Sequence, residues 1–337
     1  MTDVDSLTSW NADWRELRVA VLGLGATGFS VADTLVELGS DVFVFSEDAT
    51  AERVQLVEVI GGRYFSGSLT EVPAEFSDFG PELVVVSASI TADHPLVVWA
   101  REAGVPVWGD IELAWRVRDK VDRVAEWILV TGAEGAETTA ALTSHILEVD
   151  GRNAATVGFG SIPVLDAVRY PAGFDALVVV LSQSQLSWLG SSVAGTPVPW
   201  ASVCLEAAAD ATAEELATAA KVYRNTKTAA LYNRDDRSTQ TMLEDAEVTE
   251  GCRAIGFWLN SPGPSDVGVV DGILCDRAFL EERATTALEL ATLDDLVPSG
   301  LVFPAGVSSV LAASALARSL DVPPASVREG IRTFKIS

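Results

Sequence analysis

The stretch LVTGAEGAETTAALTSHIL, residues 129–147, decides the fold class of this chain. An apolar run, EWILVTG, leads into a turn that contains Gly132 and Gly135, and a segment with helical periodicity follows. Strand, glycine turn and helix in this order are typical of a phosphate-binding loop, whose backbone N–H groups at the helix start face the ligand. The stretch therefore predicts an α/β domain with a phosphate-type loop at residues 132–138.

The same alternation of strands and helices occurs upstream of this stretch. The apolar runs RVAVLGLG, DVFVFS, ELVVVSAS and VPVWGD alternate with the helical segments TGFSVADTLVELG and HPLVVWAREAG, which indicates a parallel sheet. A second series continues after EWILVTG with ALVVVLS, ASVCLE, AALYN and RAIGFWL, and an alanine-rich helix follows at 301–322. The charged stretch RVRDKVDR, residues 116–123, separates the two series. We therefore predict one domain over residues 1–118 and a second over 124–337.

Composition excludes several classes of protein. The chain has 48 acidic and 23 basic residues among its 337, a net charge of −25, so its surface repels nucleic acid. No apolar run reaches the ~18 residues needed to cross a bilayer, and we expect no membrane insertion. The three cysteines form no C-x-x-C pair and the chain has only two histidines. These features predict reduced thiols, a cytoplasmic protein and no histidine-rich metal site.

A second glycine turn, GLGATG, ends the first apolar run and opens the first helical segment. Its residues Gly23, Gly25, Thr27 and Gly28 have the context of a nucleotide-binding fingerprint. An acid follows about twenty residues on, at Glu47 or Asp48, as in readers of a nicotinamide cofactor. The alternatives are a different nucleotide, or glycines that serve only to pack strand against helix.

Taken together, these motifs resemble the Mur ligase family. Four motifs follow one another as in that family, over nearly the whole chain: GLGATG, VPVWGDIELAWRV, a strand ending VTGxxGxxTT, and LVVVLSQSQLSW. The chain is most similar to the branch that joins D-glutamate to UDP-N-acetylmuramoyl-L-alanine. The resemblance implies a Rossmann-like N-terminal domain for the UDP end of the substrate and a Mur-ligase-type central P-loop-like domain for ATP and Mg²⁺. It also implies a third domain, which we expect to be absent because the chain ends at FKIS.

Carried over residue by residue, the resemblance implies that several functional positions have changed. The loop lysine falls on Ala136, the loop hydroxyl on Glu137 and the metal-binding glutamate on Val180, while the carbamylated lysine falls on Ala219. A carboxylate ~4 Å from a phosphate charge costs about 4 kcal/mol at an effective dielectric near 20, which is roughly a thousandfold in affinity. We therefore expect no catalytic residue, no metal ligand and no bound cofactor.

Other positions match the family and are predicted remnants of its two binding sites. For the ATP site these are Gly132, Gly135, Thr138, Asn233 and Asp236, and for the UDP site Gly23, Gly25, Thr27 and Gly28. At the loop itself, the carboxylate of Glu134 or Glu137 is expected to bind the N–H groups of the following helix in place of phosphate.

From these losses we predict a catalytically inactive homologue with a binding or scaffolding role, linked to peptidoglycan synthesis. Two alternatives stay open: a working ATP-dependent ligase of the same branch, and a module that binds a sugar nucleotide. The former ATP cleft around Phe159, Val180 and Ala219 has lost polar groups. We expect local collapse to close it, or a second copy or a protein partner to cover it.

Overall fold

The computed structural model describes residues 4–190 and 192–336 and divides the chain into two compact units. Unit 1 comprises Met1–Asp122, Pro163–Gly173 and Ser187–Thr196, and unit 2 comprises Arg123–Ile162, Phe174–Leu186 and Pro197–Ser337. The chain first leaves unit 1 after Asp122, and two later segments, Pro163–Gly173 and Ser187–Thr196, return to it. The outer ends of the predicted domains, residues 1–3 and Ser337, lie outside the described residues.

Unit 1 is built on a five-stranded sheet with the order β3-β2-β1-β4-β5, in which every pairing is parallel. Its strands are β1 (Arg18–Leu22), β2 (Asp41–Phe45), β3 (Arg63–Phe65), β4 (Leu83–Val86) and β5 (Val107–Gly109). This confirms the Rossmann-like prediction. The strand order reverses between β1 and β4, so the crevice where such sheets bind ligands lies at the carboxyl ends of these two strands.

The sequence patterns missed β3. This strand has only three residues, Arg63, Tyr64 and Phe65, and none of them is buried. It forms an edge of the sheet and pairs with β2 alone. An apolar run predicts a strand only where both faces are covered, and a short edge strand has no such run.

Unit 2 holds a nine-stranded sheet with the order β14-β13-β12-β11-β10-β9-β6-β8-β7. Its strands are β6 (Glu126–Thr131), β7 (Ala154–Gly158), β8 (Ala176–Val180), β9 (Ala201–Cys204), β10 (Ala229–Asn233), β11 (Arg253–Phe257), β12 (Asp266–Val270), β13 (Ile273–Asp276) and β14 (Leu288–Thr292). The strands from β6 to β12 pair in parallel, which confirms the larger P-loop-like sheet. The β13 strand pairs antiparallel with both β12 and β14.

As far as α10, each strand is followed by a helix, as expected of βαβ units, and α11 and α12 come after the last strand. They are α1 (Ala26–Glu37), α2 (Ala51–Ile60), α3 (Ala74–Phe79), α4 (Pro95–Glu102), α5 (Asp110–Arg116), α6 (Ala136–Val149), α7 (Val164–Val168), α8 (Gln183–Trp188), α9 (Ala213–Ala220), α10 (Arg237–Glu244), α11 (Ala305–Arg318) and α12 (Pro324–Thr333). The helix predicted directly behind Gly135 is α6, and the predicted alanine-rich helix is α11. Both supply fully buried residues to the core of unit 2, among them Leu142, Ile146 and Leu316.

The start of the charged stretch RVRDKVDR proves to be part of the core of unit 1. The Arg116 side chain is fully buried and pairs with the buried Glu112, with Nη2 and Oε1 3.0 Å apart. Its guanidinium lies 3.9 Å from the ring centroid of Trp108 and donates to the carbonyl oxygen of Leu7 at 2.9 Å. A buried charge needs such partners, because an unpaired one costs several kcal/mol. The charge of Arg116 therefore belongs to the packed interior of unit 1 and does not mark an exposed linker residue.

Two further expectations concern membranes and cysteines. Among the helices of residues 4–190 and 192–336, none combines the length and apolar character needed to span a bilayer. All three cysteines are free thiols, and Cys204 is buried.

Candidate functional site

The predicted phosphate-type loop lies in unit 2 between the end of β6 and the start of α6. Gly135 has φ 75°, a left-handed conformation that favours glycine, and α6 begins at the next residue. A Cβ at Gly132 would come within 2.9 Å of the Leu205 Cβ, and one at Gly135 within 3.0 Å of the Ser309 hydroxyl oxygen. Both glycines are thus required by close packing of the loop, whatever ligand it holds.

The two glutamates of the loop do not bind the start of α6. In the part of the chain that the structure describes, no side chain caps this helix, and Glu134 and Glu137 are both exposed. The Glu137 carboxylate lies instead against Gly160, where an added Cβ would overlap it. The prediction that a carboxylate replaces phosphate at the N–H groups is therefore wrong, because the Glu137 side chain packs against the turn at 158–160 instead.

An open cleft of about 600 Å³ lies in front of the loop. Its wall includes all of the loop from Gly132 to Thr138, together with Phe159, Val180 and Ala219. Local collapse of this cleft was one branch of the sequence-based prediction, and that branch is wrong. Cover by a second copy or a partner stays a prediction.

Asn233 and Asp236, also predicted for the nucleotide site, do not line this cleft. The buried Asn233 donates from Nδ2 to the Leu205 carbonyl oxygen at 2.9 Å. The Asp236 carboxylate accepts from the backbone N–H groups of Ser238 and Ala207, each at 2.8 Å. Both side chains therefore hold the loop after β9 and the start of α10 in place, and their role as ligands stays a prediction.

The charge in the cleft is entirely negative within its described lining. It contains four glutamates and no lysine, arginine or histidine; the glutamates are Glu134, Glu137, Glu206 and Glu215. Burial raises the pKa of the Glu206 carboxyl, and the charges of Glu134 and Asp236 raise it further. The Glu215 carboxylate closes a capping box by accepting from the N–H and hydroxyl of Thr212. Sequence patterns gave no signal for Glu206 or Glu215, because both belong to segments outside the loop motif.

The cleft also contains a thiol that the sequence patterns did not single out. Burial raises the pKa of Cys204 to about 12, and the nearby Asp236 charge adds to the effect. Its backbone N–H donates to the Tyr223 hydroxyl oxygen at 3.2 Å. A thiol with so high a pKa is not a nucleophile at neutral pH. Cys204 is thus a packing residue of the cleft wall.

The residues present do not fit the magnesium nucleotide that the family resemblance implies. Phosphate binding at such loops uses a lysine and a hydroxyl on the metal, but Ala136 and Glu137 occupy those positions. Across the described residues, no group of three or more His, Cys, Asp or Glu side chains is arranged to hold a metal ion.

The glycine turn of unit 1 is much tighter than the loop of unit 2. A Cβ at Gly28 would overlap the Gly23 carbonyl oxygen, and Gly23 itself has φ 88°. Thr27 is half-buried, and Gly25 is exposed at the start of α1. A cation lies beside the turn, because Arg53 Nη1 donates to the Leu24 carbonyl oxygen at 3.0 Å. The structure thus brings Gly23, Gly25, Thr27 and Gly28 together at the crevice of the sheet and adds Arg53, which the motif does not include.

Glu47, one of the two acids considered for a nicotinamide cofactor, is engaged with the protein. Its carboxylate accepts from the Leu69 N–H and from the Ser68 hydroxyl, the latter at 3.0 Å. These hydrogen bonds lower the pKa of the Glu47 carboxyl. The carboxylate therefore anchors the segment after β3, which weakens the nicotinamide alternative.

Comparison with known proteins finds relatives that align with the whole chain or nearly all of it. A UDP-N-acetylmuramoylalanine–D-glutamate ligase of Leifsonia xyli is 50% identical over 98% of this chain and 66% of its own length. One from Tropheryma whipplei is 43% identical over 100% of this chain and 70% of its own. The chain therefore spans about two thirds of the length of these curated relatives. No model of a protein family matches the chain.

Solved structures support the fold. A UDP-N-acetylmuramate:L-alanyl-gamma-D-glutamyl-meso-diaminopimelate ligase from Neisseria meningitides superposes with a TM-score of 0.60 at 15% identity, covering 95% of this chain and 98% of the other. A murein peptide ligase from Psychrobacter arcticus gives 0.58 at 14% identity, covering 94% of this chain and 68% of the other. At these identities the likeness concerns the fold alone.

The relatives correct the functional prediction made from the changed family positions. Ala136, Glu137, Val180 and Ala219 together predicted a catalytically inactive homologue with a binding or scaffolding role. Proteins identical to this chain at 50% or 43% of the aligned positions, over 98% or more of its length, are named as ligases. That finding overturns the prediction of an inactive homologue and favours the ligase alternative.

Proposed function

The chain belongs to the Mur ligase family, and from this membership we propose that it acts as a UDP-N-acetylmuramoylalanine–D-glutamate ligase of peptidoglycan synthesis. The supporting observation is the identity of the chain, along nearly its whole length, to relatives that carry this name. The reaction class is formation of an amide bond between D-glutamate and the alanyl carboxyl group of the UDP-linked substrate.

We place the UDP end of the substrate at the glycine turn of unit 1. The turn of Gly23, Gly25, Thr27 and Gly28 lies at the carboxyl ends of the central strands, where sheets of this kind bind nucleotides. The N-terminus of α1 has no side-chain cap, so its first N–H groups are available to a phosphate. Arg53 adds a cation beside the same turn.

The proposal does not rest on the acidic cleft of unit 2. The family resemblance implies ATP and Mg²⁺ there, but four carboxylates and no cationic side chain line the described wall. No reaction step is therefore assigned to Ala136, Glu137 or their neighbours. Gly132, Gly135 and Thr138 are proposed as the loop residues that a ligand in this cleft contacts.

The location that fits this proposal is the cytoplasm. Support comes from the three free cysteines, which a reducing compartment keeps unpaired. Contact of the acidic cleft with a second copy or a protein partner remains part of the hypothesis.

The activity is tested by incubating the protein with UDP-N-acetylmuramoyl-L-alanine, D-glutamate, ATP and Mg²⁺. Mass spectrometry should detect the D-glutamyl product, and replacing D-glutamate by L-glutamate should remove it. If no product forms when UDP-N-acetylmuramoyl-L-alanine, D-glutamate, ATP and Mg²⁺ are all present, the ligase proposal is contradicted. Calorimetric binding of the UDP substrate without product would then favour the alternative of a sugar-nucleotide-binding module.

A further inference from the structure

A second cavity, of about 700 Å³, lies in unit 2 between α9 and α10. Each helix contributes a stripe of residues with the same spacing. Leu216, Ala217, Ala220, Lys221 and Arg224 come from α9 and the turn after it, and Arg237, Ser238, Thr241, Met242 and Asp245 from α10. Positions i, i+1, i+4, i+5 and i+8 lie on one face of a helix. The cavity is therefore a groove between two facing helical stripes, and we call it the α9–α10 groove.

The α9–α10 groove contains cationic side chains, which the described lining of the acidic cleft lacks. Three of the chain's 23 basic residues line it, namely Lys221, Arg224 and Arg237. Among the described residues, neither Arg224 nor Arg237 has a carboxylate within ion-pair distance. Arginine side chains without a carboxylate partner favour an anion, although the chain as a whole has a net charge of −25.

The two ends of the groove differ. The Asn225 N–H donates to the Glu247 carbonyl oxygen at 2.8 Å, so the segment after α9 lies beside the segment after α10. Arg237 begins α10 and Asp245 follows its last residue, which places them about 12 Å apart along the helix axis. Asp245 and Glu247 therefore add negative charge at the Arg224 end, whereas the Arg237 end carries none among the groove's described residues.

The middle of the groove is mostly apolar. Ala217, Ala220 and Met242 supply its walls, and Thr241 adds a hydroxyl. Burial lowers the pKa of Lys221, and the charge of Arg224 lowers it further. A volume of this size is typical of sites for small organic ligands.

We propose that the α9–α10 groove binds a small organic anion that carries one acidic group on an apolar body. The acidic group lies toward Arg237, and the apolar body lies along Ala217, Ala220 and Met242. The carboxylates of Asp245 and Glu247 disfavour ligands with a second acidic group at the other end. Leu216 lines both this groove and the acidic cleft, so a bound ligand contacts the helix that separates the two cavities.

A fluorescent anion of this chemistry, 1-anilinonaphthalene-8-sulfonate, provides the test, with neutral N-phenyl-1-naphthylamine as its uncharged counterpart. Replacing Arg237 by glutamine should weaken binding of the sulfonate about tenfold, the loss of roughly 1.4 kcal/mol. Binding of the neutral dye should stay within twofold. The control is Arg283→Gln, which removes one positive charge from an exposed site of unit 2 outside the groove.

A second variant tests the site without changing charge. Ala220→Trp places a large side chain in the groove and should abolish saturable binding of both dyes, while circular dichroism reports that the fold persists. Unchanged sulfonate binding in the Arg237→Gln variant would overturn the proposal, and so would equal weakening by Arg283→Gln. Both outcomes are independent of ligase activity, because neither dye is a substrate of the proposed reaction.

Discussion

The glycine turn of unit 1 and the glycine loop of unit 2 share one backbone design and differ in charge and space. Each follows a buried parallel strand and opens a helix without a side-chain cap. The first is tightly closed and has the Arg53 guanidinium beside it. The second opens on a cleft of about 600 Å³ whose described charges are all carboxylates.

This difference shows that a glycine pattern determines the shape of the backbone but does not determine which ligand the turn can bind. Helix N-termini attract anions by about 0.3–1 kcal/mol at an exposed site, which a single neighbouring side-chain charge can reverse. At the first turn the neighbouring charge, Arg53, favours an anion. At the second, Glu134 and Glu137 oppose one. Substitutions at the two sites can therefore separate the contributions of shape and charge.

The largest expected effect is a loss of stability when a side-chain atom is added inside the tightly packed first turn. Gly28→Ala forces a Cβ against the Gly23 carbonyl oxygen, and we expect a loss of about 3 kcal/mol in the free energy of unfolding. Gly25→Ala is the matched control, because its φ is −72° and the nearest atom to an added Cβ, Arg53 Nη1, lies 3.8 Å away. Urea unfolding curves of the two variants measure the difference. Equal losses would show that the turn is not tightly closed.

A smaller effect is expected from reversing the charge of the second loop. The double substitution Ala136→Lys and Glu137→Thr adds a cation and removes a carboxylate beside the uncapped start of α6. Affinity for magnesium ADP, measured by calorimetry, should rise by about 2 kcal/mol, roughly thirtyfold. Glu214→Lys makes the same change in net charge at an exposed residue of α9 outside the cleft lining. A similar gain in that control would assign the effect to overall charge.

Removing the cation from the first turn should have a more modest effect. Arg53→Gln keeps a hydrogen-bond donor near the Leu24 carbonyl oxygen and loses the positive charge. Titration with UDP should show affinity reduced by about 1 kcal/mol, roughly fivefold. Arg63→Gln is the control, since this arginine of the same unit pairs with Asp41 on the surface. If Arg53→Gln has no effect, the charge beside the turn does not contribute to anion binding.

The smallest effect concerns the pH dependence of stability. The folded-state pKa of Glu206 is raised by burial and by Glu134 and Asp236, so its ionised form opposes folding. Stability is therefore lost as the pH rises through this raised pKa. Glu206→Gln should raise the free energy of unfolding at neutral pH by up to about 0.5 kcal/mol, and the gain should vanish below about pH 4. Thermal unfolding across this range measures it, with the exposed Glu214→Gln as control; a gain that persists in acid would contradict the electrostatic explanation.

Most of the parallel architecture could be predicted from the sequence. Strands such as β1, β4 and β8 are covered on both faces, and continuous apolar runs marked them. The edge strands β3 and β7 and the last three strands, β12, β13 and β14, were missed. Their residues are partly exposed or interrupted by turns, so no run of that kind marks them.

The sequence by itself determined the two glycine turns, the helices that follow them and the resemblance to the Mur ligases, because these depend on residues close together in the chain. Only the tertiary structure decided the charge and the openness of the sites. Glu206 and Glu215 join Glu137 in one cleft, and Arg53 joins a turn 25 or more residues before it. Arg224 and Arg237 likewise meet in one groove only because α9 and α10 pack side by side. Electrostatic interactions act through space, so residues distant in the chain set the potential of each site only after folding brings them together.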